Sequence, residues 1–372
     1  MDRLSQIALA MTPGLGATGC RRLLAACPDT DIFALPKAQL AAMLGPSHHE
    51  AVDAIAAKAC FAQAEAELRF CEANNIRTIF CADADYPERM NHEETQDCPA
   101  LLYVLGGADL APEHALAVVG TRRATTYGRD TAATLVHQLR PLGATIVSGL
   151  AYGIDTAAHR AALDNGLPTV AVLGHGLDRL YPPENRTLAQ QIVQQGGALV
   201  TEYPSGTAIN PRYFPARNRI IAALADATVV VEASEKGGAL ITASIAASYQ
   251  REVFAVPGRL GDKYSCGTNN LIAINKAQLV RDAADIAYHM GWPYAGSQGS
   301  QQELFVSLDP DEQQVVDLLH KHSSLTLDEI VNLSGRPRAK VTTTLFDLEM
   351  QKVVRALPGR LYELVRNPHR AY

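Results

Sequence analysis

Short apolar runs alternate with amphipathic stretches along the middle of the chain, from about residue 100 to residue 256. Six runs rich in β-branched residues predict strands: Leu116 to Val119, Ala144 to Val147, Thr169 to Leu173, Ala198 to Thr201, Thr228 to Val231 and Val253 to Val256. The stretches between them predict helices at 127 to 140, 155 to 164, 187 to 195, 218 to 224 and 239 to 249. Continuous apolar strands separated by helices are typical of a parallel sheet covered on both faces. The pattern therefore predicts a doubly wound α/β domain with a mostly parallel sheet.

The pattern changes on both sides of this domain. Residues 1 to 75 are rich in alanine and leucine at helical spacing and predict a small helical module of the SAM or helix-hairpin-helix type. Residues 291 to 302 combine proline, glycine, serine and glutamine, which is typical of a linker. Residues 303 to 372 predict three helices and a hairpin around Pro358-Gly359, the pattern of a winged helix. We therefore expect three domains, the central one formed by residues 76 to 290.

The composition indicates a globular protein. Hydrophobic residues make up 47% of the 372 residues and charged residues 19%, which supplies enough apolar surface for a packed core. No apolar run approaches the ~20 residues of a membrane helix. The stretch from Met1 to Thr12 is too short, and too soon interrupted by Pro13-Gly14, for a secretory signal. We therefore expect a cytoplasmic protein that makes no membrane contact.

Neither the cysteines nor the net charge identifies a functional site. The seven cysteines are scattered and contain no C-x-x-C pair, which disfavours a disulfide framework and a zinc site and indicates reduced, buried thiols. The P-loop pattern is absent, so ATP hydrolysis has no support. We expect neither a metal nor another cofactor. Because the net charge is −6, a nucleic-acid site would have to be a local basic patch on an acidic protein.

Glycine-bearing loops follow several of the predicted strands, and the first of them is Gly120-Thr121-Arg122-Arg123. This loop opens a helix, where free N–H groups, the hydroxyl of Thr121 and the guanidinium of Arg122 suit phosphate oxygens. Ser148-Gly149 and the segment from Lys236 to Gly238 follow two other strands. Because the carboxyl ends of parallel strands meet at one edge of a sheet, we expect these loops to line one anion-binding pocket. The alternative for the first loop is a solvated turn whose arginines only face water.

A second basic segment runs from Asn210 to Ile221 and contains no acidic residue. Its members of interest are Arg212, Tyr213, Phe214, Arg217, Asn218 and Arg219. Single-stranded nucleic acid needs cations for its phosphates and rings on which unstacked bases can lie. Duplex DNA would hide those base faces. The segment therefore predicts a single-strand pocket, and the alternative is that Phe214 belongs to the core while the arginines are ordinary surface charges.

Two further motifs have both a functional and a structural interpretation. Asp155 and His159 lie four residues apart on a predicted helix and could form an acid/base pair with Ser148 as nucleophile. We favour helix capping by Asp155 and a structural His159, because no G-x-S-x-G pattern accompanies them. Gly14 to Gly19 is formally G-x-G-x-x-G, but no strand precedes it. We interpret it as a helix-hairpin-helix turn, and favour a structural turn over one that binds phosphate.

The winged-helix pattern has defined elements. We expect helices from Pro310 to His320, from Thr326 to Leu333 with a capping box of Thr326 and Glu329, and from Pro337 to Gln351, then strands from Val353 to Ala356 and Leu361 to Val365. Arg336, Arg338 and Lys340 would begin the recognition helix. Yet residues 301 to 372 carry nine lysines and arginines against ten acidic residues. Because a dedicated duplex reader is usually clearly basic, we favour partner docking or weak auxiliary DNA contact over sequence-specific binding.

The order and spacing of these motifs resemble one family, DNA processing protein A, also called DprA or Smf. The matching strings are Tyr86-Pro87, Val119 to Arg122, Ser148 to Asp155 with His159, Tyr181-Pro182, Phe214 to Ile221, Gly238 to Ala243, Val256 to Gly258 and Gly267 to Ile272. They cover about residues 80 to 280. The helical and winged modules are similar to the family's flanking domains. Three positions depart from the family pattern: Thr121 and Gly237 each stand where the family has serine, and Lys276 stands before Ala277 in place of the usual glycine.

The resemblance implies a Rossmann-like fold and a non-catalytic protein that binds incoming single-stranded DNA during natural transformation, protects it and helps to load the RecA recombinase. It also implies a homodimer formed through the Rossmann-like domain. The family's DNA pocket maps to Arg122 and to Phe214 through Arg219. Arg212 and Lys236 map to further basic positions of that pocket.

Two other functions compete with this interpretation. One is a nucleotide-binding or nucleotide-hydrolysing Rossmann-like enzyme of the phosphoribohydrolase type. Such enzymes carry P-G-G-x-G-T followed by a catalytic glutamate, and Lys236-Gly237-Gly238-Ala239 has neither that proline nor that glutamate. The other is a transcription factor led by the winged helix, which the charge of that module disfavours.

Overall fold

The computed structural model describes residues 1–28, 30–294, 309–322, 324–350, 353–357 and 361–364. The chain divides into two compact units, Met1–Ser297 and Gln298–Tyr372. Residues 295 to 302 of the predicted linker and the predicted turn at Pro358-Gly359 lie outside the described residues. Among the helices that the structure does describe, none combines the length and the apolar composition needed to cross a membrane.

The first unit begins with a helical module, as predicted. Its helices are α1 (Arg3–Ala10), α2 (Gly16–Ala26), α3 (Lys37–Leu44), α4 (His49–Ala56) and α5 (Phe61–Ala73). Asp2 caps α1, because its carboxylate accepts a 2.8 Å hydrogen bond from the Ser5 N–H. The glycine-rich string from Gly14 to Gly19 covers the end of the turn and the first residues of α2, with Gly14 and Gly16 at positive φ.

A mixed sheet follows the helical module. Its strands are β1 (Ile76–Phe80), β2 (Leu101–Gly106), β3 (Ala115–Val119), β4 (Thr145–Ser148), β5 (Thr169–Val172), β6 (Ala198–Thr201), β7 (Ala227–Val230), β8 (Glu252–Ala255) and β9 (Gln278–Leu279). Within the described ranges the strand order is β1-β2-β6-β5-β4-β3-β7-β8-β9. β1 pairs antiparallel with β2 and β2 with β6, and the other pairs are parallel. The six predicted strands are confirmed, and β1, β2 and β9 were missed.

Helices cover both faces of this sheet. They are α6 (Thr126–Gln138), α7 (Ile154–Asp164), α8 (Arg186–Gln194), α9 (Tyr213–Leu224), α10 (Gly238–Ser248), α11 (Cys266–Ala273) and α12 (Ala283–Met290). Along β3, Ala117 and Val119 belong to one apolar cluster while Leu116 and Val118 belong to another. Because successive side chains of a strand point to opposite faces, both faces are buried. This confirms the doubly wound α/β prediction.

Helix α9 begins five residues earlier than the predicted helix at 218 to 224. The first turn of α9 contains Pro215, whose missing N–H costs nothing there because the first N–H groups of a helix have no intrahelical acceptor. The basic and aromatic segment therefore lies on the first turns of a helix. It is not an extended loop.

The second unit is a winged helix. It contains α13 (Pro310–His322), β10 (Leu325–Thr326), α14 (Leu327–Ser334), α15 (Arg338–Met350), β11 (Val354–Leu357) and β12 (Leu361–Leu364), with the strands in the order β10-β12-β11. The predicted capping box is confirmed, because Thr326 Oγ1 accepts from the Glu329 N–H while the Glu329 carboxylate accepts from the Thr326 N–H.

Candidate nucleic-acid interface

The order of the strands creates a crevice beside β3. The chain runs from β3 through β4 and β5 to β6, then returns to place β7 on the other side of β3. Such a switch point leaves an opening at the carboxyl ends of the strands. The loop after β3 lies there, and its Thr121 N–H donates a 2.7 Å hydrogen bond to the carbonyl oxygen of Glu232, which follows β7. Two of the glycine loops singled out in the sequence therefore meet at this crevice.

Two glycines let the loop after β3 pack tightly against the start of α7. A Cβ on Gly120 would lie 2.4 Å from Ile154 Cγ1. Gly153 adopts a φ of 79°, and a Cβ there would lie 2.2 Å from the carbonyl oxygen of Thr121. The N–H groups of Thr121, Arg123 and Thr125 in this loop already donate hydrogen bonds to Glu232 and to the Thr121 hydroxyl, so they hold the loop in place.

Arg122 and Phe214 come together at the crevice. The guanidinium carbon of Arg122 lies 5.6 Å from the centroid of the Phe214 ring, within cation–π range. The Tyr181 ring lies 5.5 Å from the Phe214 ring and is tilted by 51°. Arg122 is exposed and Tyr181 is 38% exposed. A shallow depression beside them is lined by Arg122, Gly149, Ala151, Tyr152, Tyr181, Pro182, Phe214 and Arg217.

Arg217 lies beneath this cluster and is only 3% exposed. Its Nη1 donates a 2.6 Å hydrogen bond to the carbonyl oxygen of Gly149 and a second one to that of Val172. Burial lowers the pKa of the guanidinium to about 10, against the opposing effect of the Asp155 carboxylate. Arg217 is therefore charged at neutral pH, but its charge faces the protein interior. The sequence-based expectation that Arg217 contacts phosphate is revised to a role in holding the loops after β4 and β5.

Ser148, also expected in the DNA pocket, is fully buried at the end of β4. Its Oγ donates a 2.7 Å hydrogen bond to the Val118 carbonyl oxygen of the neighbouring strand. That hydroxyl links two strands and is not presented to solvent. The residues of this loop that line the depression are Gly149, Ala151 and Tyr152.

His159 is structural, as expected, but Asp155 does not cap α7, because the N-cap residue is Gly153 and no side chain caps the helix. Asp155, in the first turn of α7, accepts a 3.3 Å hydrogen bond from the Ala151 N–H, and burial raises the pKa of its carboxyl while Arg217 opposes that shift. His159 Nδ1 lies 2.7 Å from Thr169 Oγ1. Burial, assisted by the charge of Arg217, lowers the pKa of His159 to about 3, so the imidazole is neutral at pH 7. His159 is completely buried and cannot reach a ligand in the crevice.

Arg219 is engaged in an ion pair inside the protein. Both of its terminal nitrogens lie 2.6 Å from the Glu202 carboxylate, and its Nε donates a 2.8 Å hydrogen bond to the Asp97 carbonyl oxygen. Burial alone would lower the pKa of this guanidinium, but Glu202 raises it above its ordinary value. A bidentate pair of this kind fixes the first turns of α9 against the end of β6.

The remaining candidates are distributed over separate loops at the same edge of the sheet. Arg212 immediately precedes α9 and Lys236 lies two residues before α10, and both side chains are exposed. Gly238 is the exposed first residue of α10, and Asn218 is half-buried in α9. Free N–H groups at the start of α10 and the nearby Lys236 suit an anion. Within the described residues, no group of three or more histidine, cysteine, aspartate or glutamate side chains is arranged to hold a metal.

Tyr181 was not among the candidate site residues, although its ring adjoins Phe214. The sequence feature that could have identified Tyr181 is its position shortly after Gly174 to Gly176, a glycine-bearing loop that follows β5 at the same edge of the sheet. Tyr152 was missed as well, and it lies 40% exposed in the loop after β4, where its hydroxyl donates a hydrogen bond to Glu184. Both rings add aromatic surface to the depression.

A contact from the helical module also reaches this region. The buried carboxylate of Glu67 in α5 accepts a 2.9 Å hydrogen bond from the Ser205 N–H and another from the Ser205 hydroxyl. Ser205 belongs to the segment between β6 and α9, which leads into Arg212 and Phe214. The sequence could not predict this contact, because Glu67 and Ser205 lie 138 positions apart.

Comparisons with known proteins match both units. The family model described as DNA recombination-mediator protein A matches residues 77–291, and the model described as DprA winged helix domain matches residues 302–360. Protein Smf of Escherichia coli (strain K12) is 35% identical over 311 residues, which cover 82% of each chain.

Two solved structures are also similar. DNA processing protein A (DprA) from Streptococcus pneumoniae superposes with a TM-score of 0.68 and 33% identity, covering 77% of this chain and 97% of that one. DNA processing protein A from Helicobacter pylori superposes with a TM-score of 0.52 and 31% identity, covering 59% of this chain and 97% of that one. The Helicobacter pylori structure concerns the single-stranded DNA binding mode of that protein.

Proposed function

Because this chain belongs to the DNA recombination-mediator protein A family, also called DNA processing protein A, we propose that it binds single-stranded DNA at the crevice beside β3. The observation that carries the proposal is the Arg122 guanidinium over the Phe214 ring, with Tyr181 next to it. A cation beside the half-buried Phe214 ring and the exposed Tyr181 ring offers a phosphate contact next to a stacking surface. The single-stranded DNA binding of the Helicobacter pylori relative supports the same chemistry.

In the proposed complex the phosphates and the bases of the DNA contact different groups of the crevice. Phosphates meet the exposed cations Arg122, Arg212 and Lys236, together with N–H groups at the start of α10. Bases stack on Phe214 and Tyr181. The Arg122 guanidinium covers the face of the Phe214 ring on which a base would stack. A base that binds there displaces the guanidinium, which then contacts a phosphate. The buried Arg217 supports this arrangement from below by holding the Gly149 carbonyl.

We extend the proposal to the rest of the family activity. The protein protects incoming single-stranded DNA during natural transformation, helps to load RecA onto it and forms a homodimer through its Rossmann-like domain. These parts rest on the family resemblance. Nuclease digestion of a bound oligonucleotide tests the protection. The lag of RecA filament formation on coated single strands tests the loading, and the mass from light scattering tests the homodimer.

Fluorescence anisotropy tests the DNA binding directly. Labelled oligo-dT should bind far more tightly than a duplex of equal length, and its affinity should fall steeply as salt rises. Arg122→Ala should lower the slope of log Kd against log salt by about 0.7, the value for one phosphate on a single strand. Arg69→Ala is the matched control, because that arginine is exposed on α5 in the helical module.

Two outcomes would contradict the proposal. Equal or tighter binding of the duplex would exclude a single-strand pocket. Release of free base from nucleoside monophosphates would establish the competing phosphoribohydrolase activity.

A further inference from the structure

The outward face of α15 in the winged-helix unit carries large apolar side chains. Phe346 is 60% exposed and Met350 is 69% exposed, and they lie one turn apart on the same side of the helix. The opposite side of α15 is buried in the core of the unit through Val341, Leu345 and Leu348. Adjacent exposed apolar side chains on one helix face indicate a contact surface.

The other residues of this face are small. Ala339, Thr342 and Thr343 are exposed. Thr342 Oγ1 donates a 2.9 Å hydrogen bond to the Arg338 carbonyl oxygen, and Thr343 Oγ1 donates a 3.2 Å hydrogen bond to the Ala339 carbonyl oxygen. Both hydroxyl protons are therefore bonded inside the helix. An apolar neighbour can cover this face without leaving a hydroxyl donor unpaired.

Four charged residues flank the apolar face in a self-complementary order. At about 100° per residue, Arg338 and Glu349 lie along one flank, and Lys340 and Asp347 lie along the other. On each flank the cation is near the start of α15 and the carboxylate near its end. The midpoint of Arg338 and Glu349 and the midpoint of Lys340 and Asp347 both fall between residues 343 and 344. A single two-fold axis at that midpoint would bring each cation opposite a carboxylate.

We propose that this face of α15 binds the same face of a second copy of the chain, with the two helices antiparallel about a two-fold axis between residues 343 and 344. In this arrangement each flank lies against the equivalent flank of the second copy, which runs in the opposite direction. Arg338 faces the partner's Glu349, and Lys340 faces the partner's Asp347. The proposal does not depend on DNA binding at the crevice.

The apolar residues fit the same axis. The two-fold operation places Phe346 level with position 341 of the other helix, between the partner's Ala339 and the partner's Thr343. A large side chain that inserts between small ones is the usual packing of paired helices. Because one surface supplies both the protruding side chain and the space for it, the interface is isologous and closes as a pair.

Duplex DNA fits this face less well. The centre of the face is apolar, and its end carries Asp347 and Glu349, which a phosphate backbone repels. Arg338 already pairs with Asp328, and Lys340 pairs with Asp311. The Arg338–Asp328 pair is exposed and contributes little free energy, so Arg338 can exchange this carboxylate for that of a second copy. Asp311 is less exposed and also pairs with Arg336, so Lys340, which is half exposed, gains the carboxylate of the second copy in addition to Asp311.

Directional disulfide cross-linking of the full-length chain tests the antiparallel order. Chains carrying Arg338→Cys, mixed with chains carrying Glu349→Cys, should form a mixed disulfide dimer under mild oxidation. Neither variant alone should do so, because its two copies of the new thiol would lie about 16 Å apart along the helix axis. The wild-type chain measures the background from the native cysteines, of which Cys266 alone among the seven is not buried.

A second set of variants tests the centre of the face and its charges. Thr343→Cys alone should give a homodimeric disulfide at least tenfold faster than Asn332→Cys, an exposed position on α14 away from this face. Adding Phe346→Glu or Asp347→Lys to the Thr343→Cys chain should slow that cross-link. Combining Lys340→Glu with Asp347→Lys should restore it. Thermal melts of every variant distinguish loss of contact from loss of folding.

Three results would overturn the proposal. One is a Thr343→Cys cross-link no faster than that of Asn332→Cys. Another is a mixture of Arg338→Cys and Glu349→Cys that cross-links no more than either variant alone. The third is duplex binding that Phe346→Glu abolishes while no cross-link forms, which would make α15 a DNA-binding helix.

Discussion

Arg217 lies directly against Gly149, a residue 68 positions earlier in the chain. The Arg217 Nη1 donates a 2.6 Å hydrogen bond to the Gly149 carbonyl oxygen, and a Cβ on Gly149 would stand 2.6 Å from the same nitrogen. The absent side chain at Gly149 thus provides the space that the guanidinium fills. The guanidinium in turn fixes the loop after β4 under the proposed DNA pocket.

Gly149→Ala should therefore destabilise the protein. The new methyl group would overlap the guanidinium, and such overpacking costs about 1–3 kcal/mol in the free energy of unfolding. Urea denaturation measures the change. Gly107→Ala is the control, because a Cβ at Gly107 meets no atom within 4 Å. Equal stability of the two variants would mean that Arg217 moves aside at no cost.

Replacing Arg217 should affect stability more than ionic contact with DNA. Arg217→Ala leaves the buried carbonyl oxygens of Gly149 and Val172 without their donor and should cost about 1–3 kcal/mol in unfolding free energy for each. Arg217→Lys keeps a cation and should cost less. At a temperature where each variant is folded, the salt slope of oligo-dT binding should remain that of the wild type. A slope lowered by about 0.7 without a loss of stability would instead indicate a direct phosphate contact.

Phe214→Ala should weaken oligo-dT binding by about 1–3 kcal/mol, because a base loses the ring on which it stacks. The salt slope should stay unchanged, since no cation is removed. Phe214→Tyr is the control, as it keeps the ring beside Tyr181. Anisotropy titrations at several salt concentrations separate the two effects. Wild-type affinity in Phe214→Ala would show that the ring only packs against its neighbours.

The Glu67 carboxylate should position the segment that precedes Arg212 and Phe214. Glu67→Ala removes the acceptor of two hydrogen bonds from Ser205 and should cost about 1.5–3 kcal/mol in unfolding free energy. It should also weaken oligo-dT binding without changing the salt slope. Glu65→Ala is the control, because that side chain is 54% exposed on the same helix. If Glu67→Ala destabilises the protein and leaves DNA affinity intact, the contact serves folding alone.

The buried His159 should make stability depend on pH. Its pKa falls from 6.5 to about 3 on folding, so between these values the unfolded chain binds more protons than the folded one. Stability is therefore lost as the pH falls below 6.5, by up to ~1.4 kcal/mol per pH unit. Asp155, whose pKa is raised on folding, acts in the opposite sense above 3.8.

The difference between wild type and His159→Gln isolates the contribution of the histidine. Urea denaturation from pH 7 to pH 4 should show a smaller loss of stability in the variant. Parallel curves for the two proteins would mean that His159 is protonated in the folded state as well.

The sequence by itself determined the parallel part of the sheet. The six central strands are buried on both faces, so each is a continuous apolar run, and that signal is local. The position of Gly120 to Arg122 after a strand was visible for the same reason. β1 was missed because the exposed Arg77 interrupts its apolar run, whereas β2 is a buried apolar run whose local signal was overlooked. The two residues of β9 are too few for any pattern.

Only the tertiary structure decided which polar residues of the candidate site face solvent. Arg122, Arg217 and Arg219 look alike in the sequence, yet the first is exposed, the second is buried beneath the pocket and the third is paired with Glu202. Exposure depends on which distant segments pack around a side chain, and local sequence carries no record of that packing. The single glycine at 149, far from Arg217 along the chain, leaves the room in which its guanidinium is buried.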